Sequence, residues 1–101
     1  MRKITISFGI FKGEGKYRAI KRQSDDFKKE LRRLKDMELL ILRENVPAKV
    51  NVYKMMKEYM GNKITTKYNN FVLKEGYTEE EFSRDFDHFF SVQIHCKMEI
   101  E

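Results

Sequence analysis

Lys3-Ile4-Thr5-Ile6-Ser7-Phe8-Gly9-Ile10 alternates polar and apolar residues over eight positions. Period two over that length predicts a half-buried β-strand. Lys12-Gly13-Glu14-Gly15 interrupts the pattern. Its two glycines supply the backbone freedom of a turn, and residues 17–22 are read as the returning strand of a hairpin.

Outward from this strand the chain changes period. Ser24-Asp25-Asp26 places capping oxygens and acids where a helix begins, over the positive end of its dipole. Phe27, Leu31 and Leu34 follow at i, i+4 and i+7, the apolar face of a helix ending near Asp36. The dense run Leu39-Leu40-Ile41-Leu42, within residues 37–43, reads as a buried strand. Pro47 suits the first turn of a helix over residues 48–60, where Val52, Met56, Tyr59 and Met60 recur at helical spacing and Gly61 stands at the C-cap. Ile64, Thr66 and Tyr68 then alternate as a strand, Asn69-Asn70 turns the chain, and Phe71-Val72-Leu73 pairs back.

The strongest local signature is Tyr77-Thr78-Glu79-Glu80-Glu81-Phe82. Thr78 and Glu81 have capping-box spacing, and Tyr77 and Phe82 have hydrophobic-staple spacing. Phe86 and Phe89 or Phe90 extend the apolar face of that helix. Val92, Ile94, Cys96, Met98 and Ile100 then alternate with polar residues as a long final strand.

These elements predict a single α+β domain over residues 1–101, with a mainly antiparallel sheet and two or three helices on one face. With the hairpins and the helix at 48–60 set aside, the order is β-α-β-β-α-β, the ferredoxin-like order shared by RNA-recognition domains. The third-strand motif of those domains is basic-Gly-aromatic. Here the matching stretch is Lys67-Tyr68-Asn69-Asn70-Phe71-Val72-Leu73, which lacks the glycine, so membership of that family does not follow.

Composition narrows the function classes. Hydrophobic residues make up 41% of the chain, too many for an intrinsically disordered protein. No run approaches the ~18 apolar residues of a membrane span. A single Cys excludes a disulfide framework and a Cys-based structural zinc site. Met1-Arg2-Lys3-Ile4 leads straight into the strand pattern, so the expectation is a cytoplasmic protein without a signal peptide.

The net charge of +5 conceals a strong asymmetry: residues 1–35 carry +8, residues 36–74 carry +3 and residues 75–101 carry −6. On the first predicted helix, with Phe27 at zero and about 100° per residue, Lys28, Arg32 and Lys35 lie near 100°, 140° and 80°, and Lys29 and Arg33 near 200° and 240°. The solvent side of that helix is thus almost entirely cationic. Its like-charge pairs at i, i+4 cost an isolated helix about 0.2–0.5 kcal/mol each. Lys16, Arg18, Lys21 and Arg22 precede it, with Tyr17 among them.

The expected function is a small non-enzymatic module that binds DNA or RNA. In it Lys16, Arg18, Lys21, Arg22, Lys28, Lys29, Arg32, Arg33 and Lys35 meet phosphates and Tyr17 stacks on a base. The alternative is a protein-interaction factor, an inhibitor or accessory subunit that occludes a larger protein. Small motif-free Lys/Glu-rich chains of this kind resemble phage or mobile-element products in style. In this alternative Glu79, Glu80, Asp85 and Asp87 would imitate a nucleic-acid backbone. A third arrangement sets the acidic segment 75–87 beside the basic helix and neutralises it internally. No cofactor or metal is expected: Asp85 and His88 share a helix side at i, i+3 but Asp87 points away, and His95 and Cys96 fall on opposite faces of the predicted strand. Homodimerisation through an exposed strand edge is a further expectation.

Overall fold

The computed structural model describes residues 5–95. Strand β1 (Thr5–Gly13) and strand β2 (Lys16–Arg22) form the expected hairpin, with Gly15 at φ +71° in the turn. Helix α1 (Ser24–Arg33) leads into β3 (Glu38–Pro47), and helix α2 (Val52–Met60) follows. A short hairpin, β4 (Ile64–Lys67) and β5 (Asn70–Leu73), precedes helix α3 (Glu79–Phe89). The five strands form one antiparallel sheet in the order β3-β1-β2-β5-β4.

The α+β class and the antiparallel sheet match the reading of the sequence. The helices, however, divide between the two faces of the sheet. On one face Ile6, Phe8, Ile10, Ala19, Ile41 and Phe71 pack against Val52, Met56 and Met60 of α2 and Phe82, Phe86 and Phe89 of α3. On the other, Phe11 and Ile20 pack against Phe27 of α1, with Leu34, Met37, Leu39 and Leu42 around them. This explains the unbroken apolar run of β3: both sides of it are covered, although the strand lies at the sheet edge.

Gly9 makes the second layer possible. A Cβ there would lie 2.5 Å from Phe27 Cζ and 3.3 Å from Leu39 Cδ1, so the Phe27 ring sits directly on the β1 backbone. The period-two pattern marks Gly9 only as a residue on the polar side of the strand. That side is in fact the second buried face.

Several boundaries differ from expectation. Pro47 ends β3, paired with Thr5, instead of opening a helix. It is tolerated there because an edge strand has no partner for the missing N–H. Helix α2 begins at Val52, where Asn51 Oδ1 accepts the Lys54 N–H, and ends at Gly61 with φ +57°. The Thr78–Glu81 capping box and the Tyr77–Phe82 contact are both present. Ser24 lies inside α1, whose N-cap Gln23 makes no side-chain capping bond.

The ferredoxin-like order is not found: β1 has antiparallel neighbours on both sides, β2 and β3. Nor do residues 90–95 begin a strand. They continue α3 as a wider, π-type helical segment (Phe90–His95) that buries Ile94 and leaves Val92 half exposed. Phe86, Phe90 and Ile94 recur every fourth residue, and this spacing overrides the alternation read from 92 onward. Cys96 and the rest of the expected strand lie outside the described residues.

Both sheet edges carry features that discourage pairing with another chain. β3 has two register irregularities, Asn45 at φ +59° and a terminal proline. β4 is four residues long and ends in an exposed lysine. No helix among the described residues is long and apolar enough to cross a membrane.

The Gly9 contact is directly testable. Gly9→Ala forces the buried Phe27 ring to shift, and overpacking of this kind costs about 1–3 kcal/mol. Urea unfolding should show that loss with an unchanged m-value. A midpoint equal to that of the unaltered protein would mean that Phe27 is not seated on the β1 backbone.

Candidate nucleic-acid interface

Helix α1 presents its cations to solvent because its single buried residue, Phe27, turns the opposite side outward. Glu30 is 3.2 Å from Arg33 and 3.9 Å from Arg22, and Asp26 is 3.9 Å from Lys29. Among the described residues, Lys28, Arg32 and Lys35 have no carboxylate within 4 Å. Lys35 lies just beyond the helix, in the turn that leads to β3.

β2 divides its predicted site residues between the two faces. Arg18 pairs with Phe11 and Ile20 with Gly9, so Lys16, Arg18 and Arg22 alternate onto the side of the sheet that α1 covers. Tyr17, Ala19 and Lys21 point to the other side. Lys21 and Arg22, at the far end of the strand, border a cavity of about 230 Å³ with Asn51, Tyr53 and Asn69. Arg22 Nη1 donates to the Lys21 carbonyl at 2.7 Å.

Tyr17 is not free to stack on a base, contrary to expectation. Its ring lies against Phe71 at 5.3 Å and Phe82 at 6.1 Å, and its hydroxyl donates to Glu79 Oε1 at 2.9 Å. The inward phase of β2 places it over α3, where the aromatic ring is part of the core.

Beyond α1 the same side of the sheet is uncovered. Arg18 pairs with Asn70 and Asn70 with Lys67, giving a row across β2, β5 and β4. Thr65, Val72 and Lys67 are exposed, and a shallow groove of about 200 Å³ runs between Lys16, Thr65, Lys67, Asn70 and Val72. Strands β2, β4 and β5 contain no Asp or Glu. Lys67 and Tyr68 were not among the residues singled out from the sequence, because the alternation had placed Tyr68 within the strand. The turn actually occupies residues 68 and 69, one position earlier than read. The paired asparagines were the available signal.

The acidic residues of the alternative reading are mostly engaged within the molecule. Glu79 is 2.9 Å from Lys12 Nζ and accepts from Tyr17. Asp85 accepts from the Tyr77 hydroxyl at 2.6 Å and from Lys63 at 3.3 Å. Asp87 pairs with Arg43, whose guanidinium also lies over the Phe86 and Phe90 rings. Glu80 is exposed and has no such partner among the described residues. α3 therefore neutralises Lys12, Arg43 and Lys63 on its own side of the sheet, and the cations of α1 face the other way. Among the described residues no three His, Cys, Asp or Glu side chains converge on one point. Met56 and Met60 are buried, and Met55 packs at the edge of the core.

The Tyr17–Glu79–Lys12 cluster gives the fold a pH signature. Burial of the phenol, with the Glu79 carboxylate beside it, pushes Tyr17 from 10.0 up to about 12. The folded protein thus keeps a proton that the unfolded chain releases near pH 10. The resulting stability is complete below that pH and is lost as pH rises toward 12. Glu79 is held below 4.5 by the hydrogen bond from Lys12 first and that from Tyr17 after it, so its share is lost as pH falls below that value. In Tyr17→Phe, the alkaline arm of the stability curve, followed by circular dichroism from pH 9 to 12, should be shallower. An arm of unchanged steepness would rule Tyr17 out as its source.

No curated protein and no solved structure matches this chain. Residues 2–78 match a family model described as "Protein of unknown function (DUF3627)", a span that holds the whole sheet, α1 and α2 and stops short of α3. On a match over that much of its length, the chain belongs to the DUF3627 family.

Proposed function

We propose that this protein is a non-catalytic, cytoplasmic nucleic-acid-binding module that grips phosphates through α1 and the uncovered half of its sheet. The observation that carries this reading is a separation of charge across the sheet. Lys16, Arg18, Lys28, Arg32 and Lys35 belong to one side and have no carboxylate within 4 Å among the described residues, while the acids of α3 are engaged on the other. A scaffold helix has no need of like charges at i, i+4, which oppose its formation. A polyanion relieves that repulsion and releases its condensed counterions in exchange. The engagement of Glu79, Asp85 and Asp87 within the fold also weakens the rival reading, in which an acidic helix imitates nucleic acid toward a protein partner.

The cations differ in availability, and this sharpens the test. Among the described residues Lys28 and Arg32 have no carboxylate within 4 Å, whereas Lys29 and Arg33 already have Asp26 and Glu30. The double reversals Lys28→Glu/Arg32→Glu and Lys29→Glu/Arg33→Glu each turn one cationic i, i+4 pair into an anionic one and keep the other, and circular dichroism checks that both variants stay folded. Binding to labelled oligonucleotides should weaken more in the first. Roughly five phosphate contacts give a log–log salt slope of about −3.5 on single strands or −4.5 on duplex, and loss of two should flatten it by about 1.4 or 1.8 respectively. Unchanged affinity in the Lys28/Arg32 variant would remove α1 from the interface. Capture of one stoichiometric protein after nuclease treatment, with no nucleic-acid affinity, would replace this reading by the protein-partner one.

A further inference from the structure

We infer that the nucleic acid is taken as a single strand, with an unpaired base stacked on Tyr68 at the tip of the β4–β5 hairpin. The inference rests on the nucleic-acid reading above and narrows it to a substrate class. Tyr68 is 85% exposed and makes no ring contact or hydrogen bond among the described residues, whereas Tyr17, Tyr53, Tyr59 and Tyr77 all pack against other rings. Its backbone has φ +55°, a region that a bulky L-residue rarely occupies and that a glycine would occupy without strain. The fold thus holds an aromatic ring in solvent, on a strained backbone, with no ring contact or hydrogen bond among the described residues to compensate for either. An outlier of this kind points to a role outside the fold.

The surroundings of Tyr68 define that role. The adjacent Lys67 is aligned with Asn70 and Arg18 across three strands, and Lys16 lies along the same groove. No acid interrupts these strands. A flat cationic surface ending in an exposed aromatic ring is the arrangement that binds single strands, with phosphates on the cations and a base on the ring. Duplex fits it poorly for two reasons. The face of a paired base is covered by its neighbours in the stack, so Tyr68 has nothing to stack on. The hairpin also does not project, because the Asn69 carbonyl accepts the Ala19 N–H at 2.8 Å midway along β2. A ribbon flush with its sheet does not reach into a major groove about 8.5 Å deep.

The test compares fluorescein-labelled oligo(dT) with a duplex of equal charge, by anisotropy at low salt. The unaltered protein should bind oligo(dT) more tightly. Tyr68→Gly should weaken oligo(dT) binding by about tenfold, a typical effect of removing one stacking ring, while leaving duplex binding unchanged. Because glycine suits φ +55°, that variant should keep or raise the thermal midpoint, so its loss of binding cannot be attributed to misfolding. Tyr68→Phe should retain tight binding. Equal affinity for both ligands, with Tyr68→Gly inert and Lys28→Glu/Arg32→Glu weakened, would overturn the single-strand inference and leave the phosphate-binding reading standing. Absence of binding to either ligand at low salt would overturn both.

Discussion

The seating of Phe27 on the bare backbone of Gly9 sets the layout of this molecule. A Cβ at position 9 would push the Phe27 ring off the β1 backbone and loosen the packing of α1 on Phe11 and Ile20. With the ring in contact, α1 closes the second face as it runs from the end of β2 to the start of β3. The sheet becomes the middle layer of three, and the basic and acidic helices are kept on opposite sides of it.

That separation governs the electrostatics. Had α1 and α3 shared a face, the chain's +8 and −6 ends would have neutralised each other. Instead α3 takes its partners from Lys12, Arg43 and Lys63, which lie in or beside elements it already packs against. The charge pairs of α3 serve to dock that helix, with the aromatic contacts of Phe82 and Phe86 beneath them. The cations of α1 and β2 have Glu30 and Asp26 and little else, and their side of the sheet stays basic. Because α1 is short, it covers β1 and part of β2 and leaves β5 and β4 open, so the row of Arg18, Asn70 and Lys67 continues the cationic surface. The family match covers this whole assembly and not α3.

Much of the fold was legible in the sequence. Alternation marked β1, the Thr78–Glu81 box marked the start of α3, and the glycines marked the turn after Gly13 and the end of α2. The errors share one physical cause. Periodicity reports which residues lie on the same side of an element, and leaves open what lies opposite. Tyr17 and Arg18 are equally plausible as exposed residues until the pairing of β2 with β5 brings Phe71 beside Tyr17 and opens Arg18 to solvent. Tyr68 looked like a strand residue because Ile64 and Thr66 alternate with it, and a turn shifted by one position moved it to the hairpin tip. At Ile94 a four-residue helical spacing and a two-residue alternation coincide, and packing of Ile94 against the core decided for the helix.

The sequence by itself determined the kinds of most elements, the antiparallel α+β class, the charge division along the chain and the cationic solvent side of α1. These are local properties, written in spacing, capping residues and charge counts. Only the tertiary structure decided the strand order, the side each helix covers, the burial of Tyr17, the exposure of Tyr68 and the engagement of the α3 acids. All of these depend on contacts between residues far apart in the chain, where the deciding quantity is which apolar surfaces meet, and no local pattern encodes that.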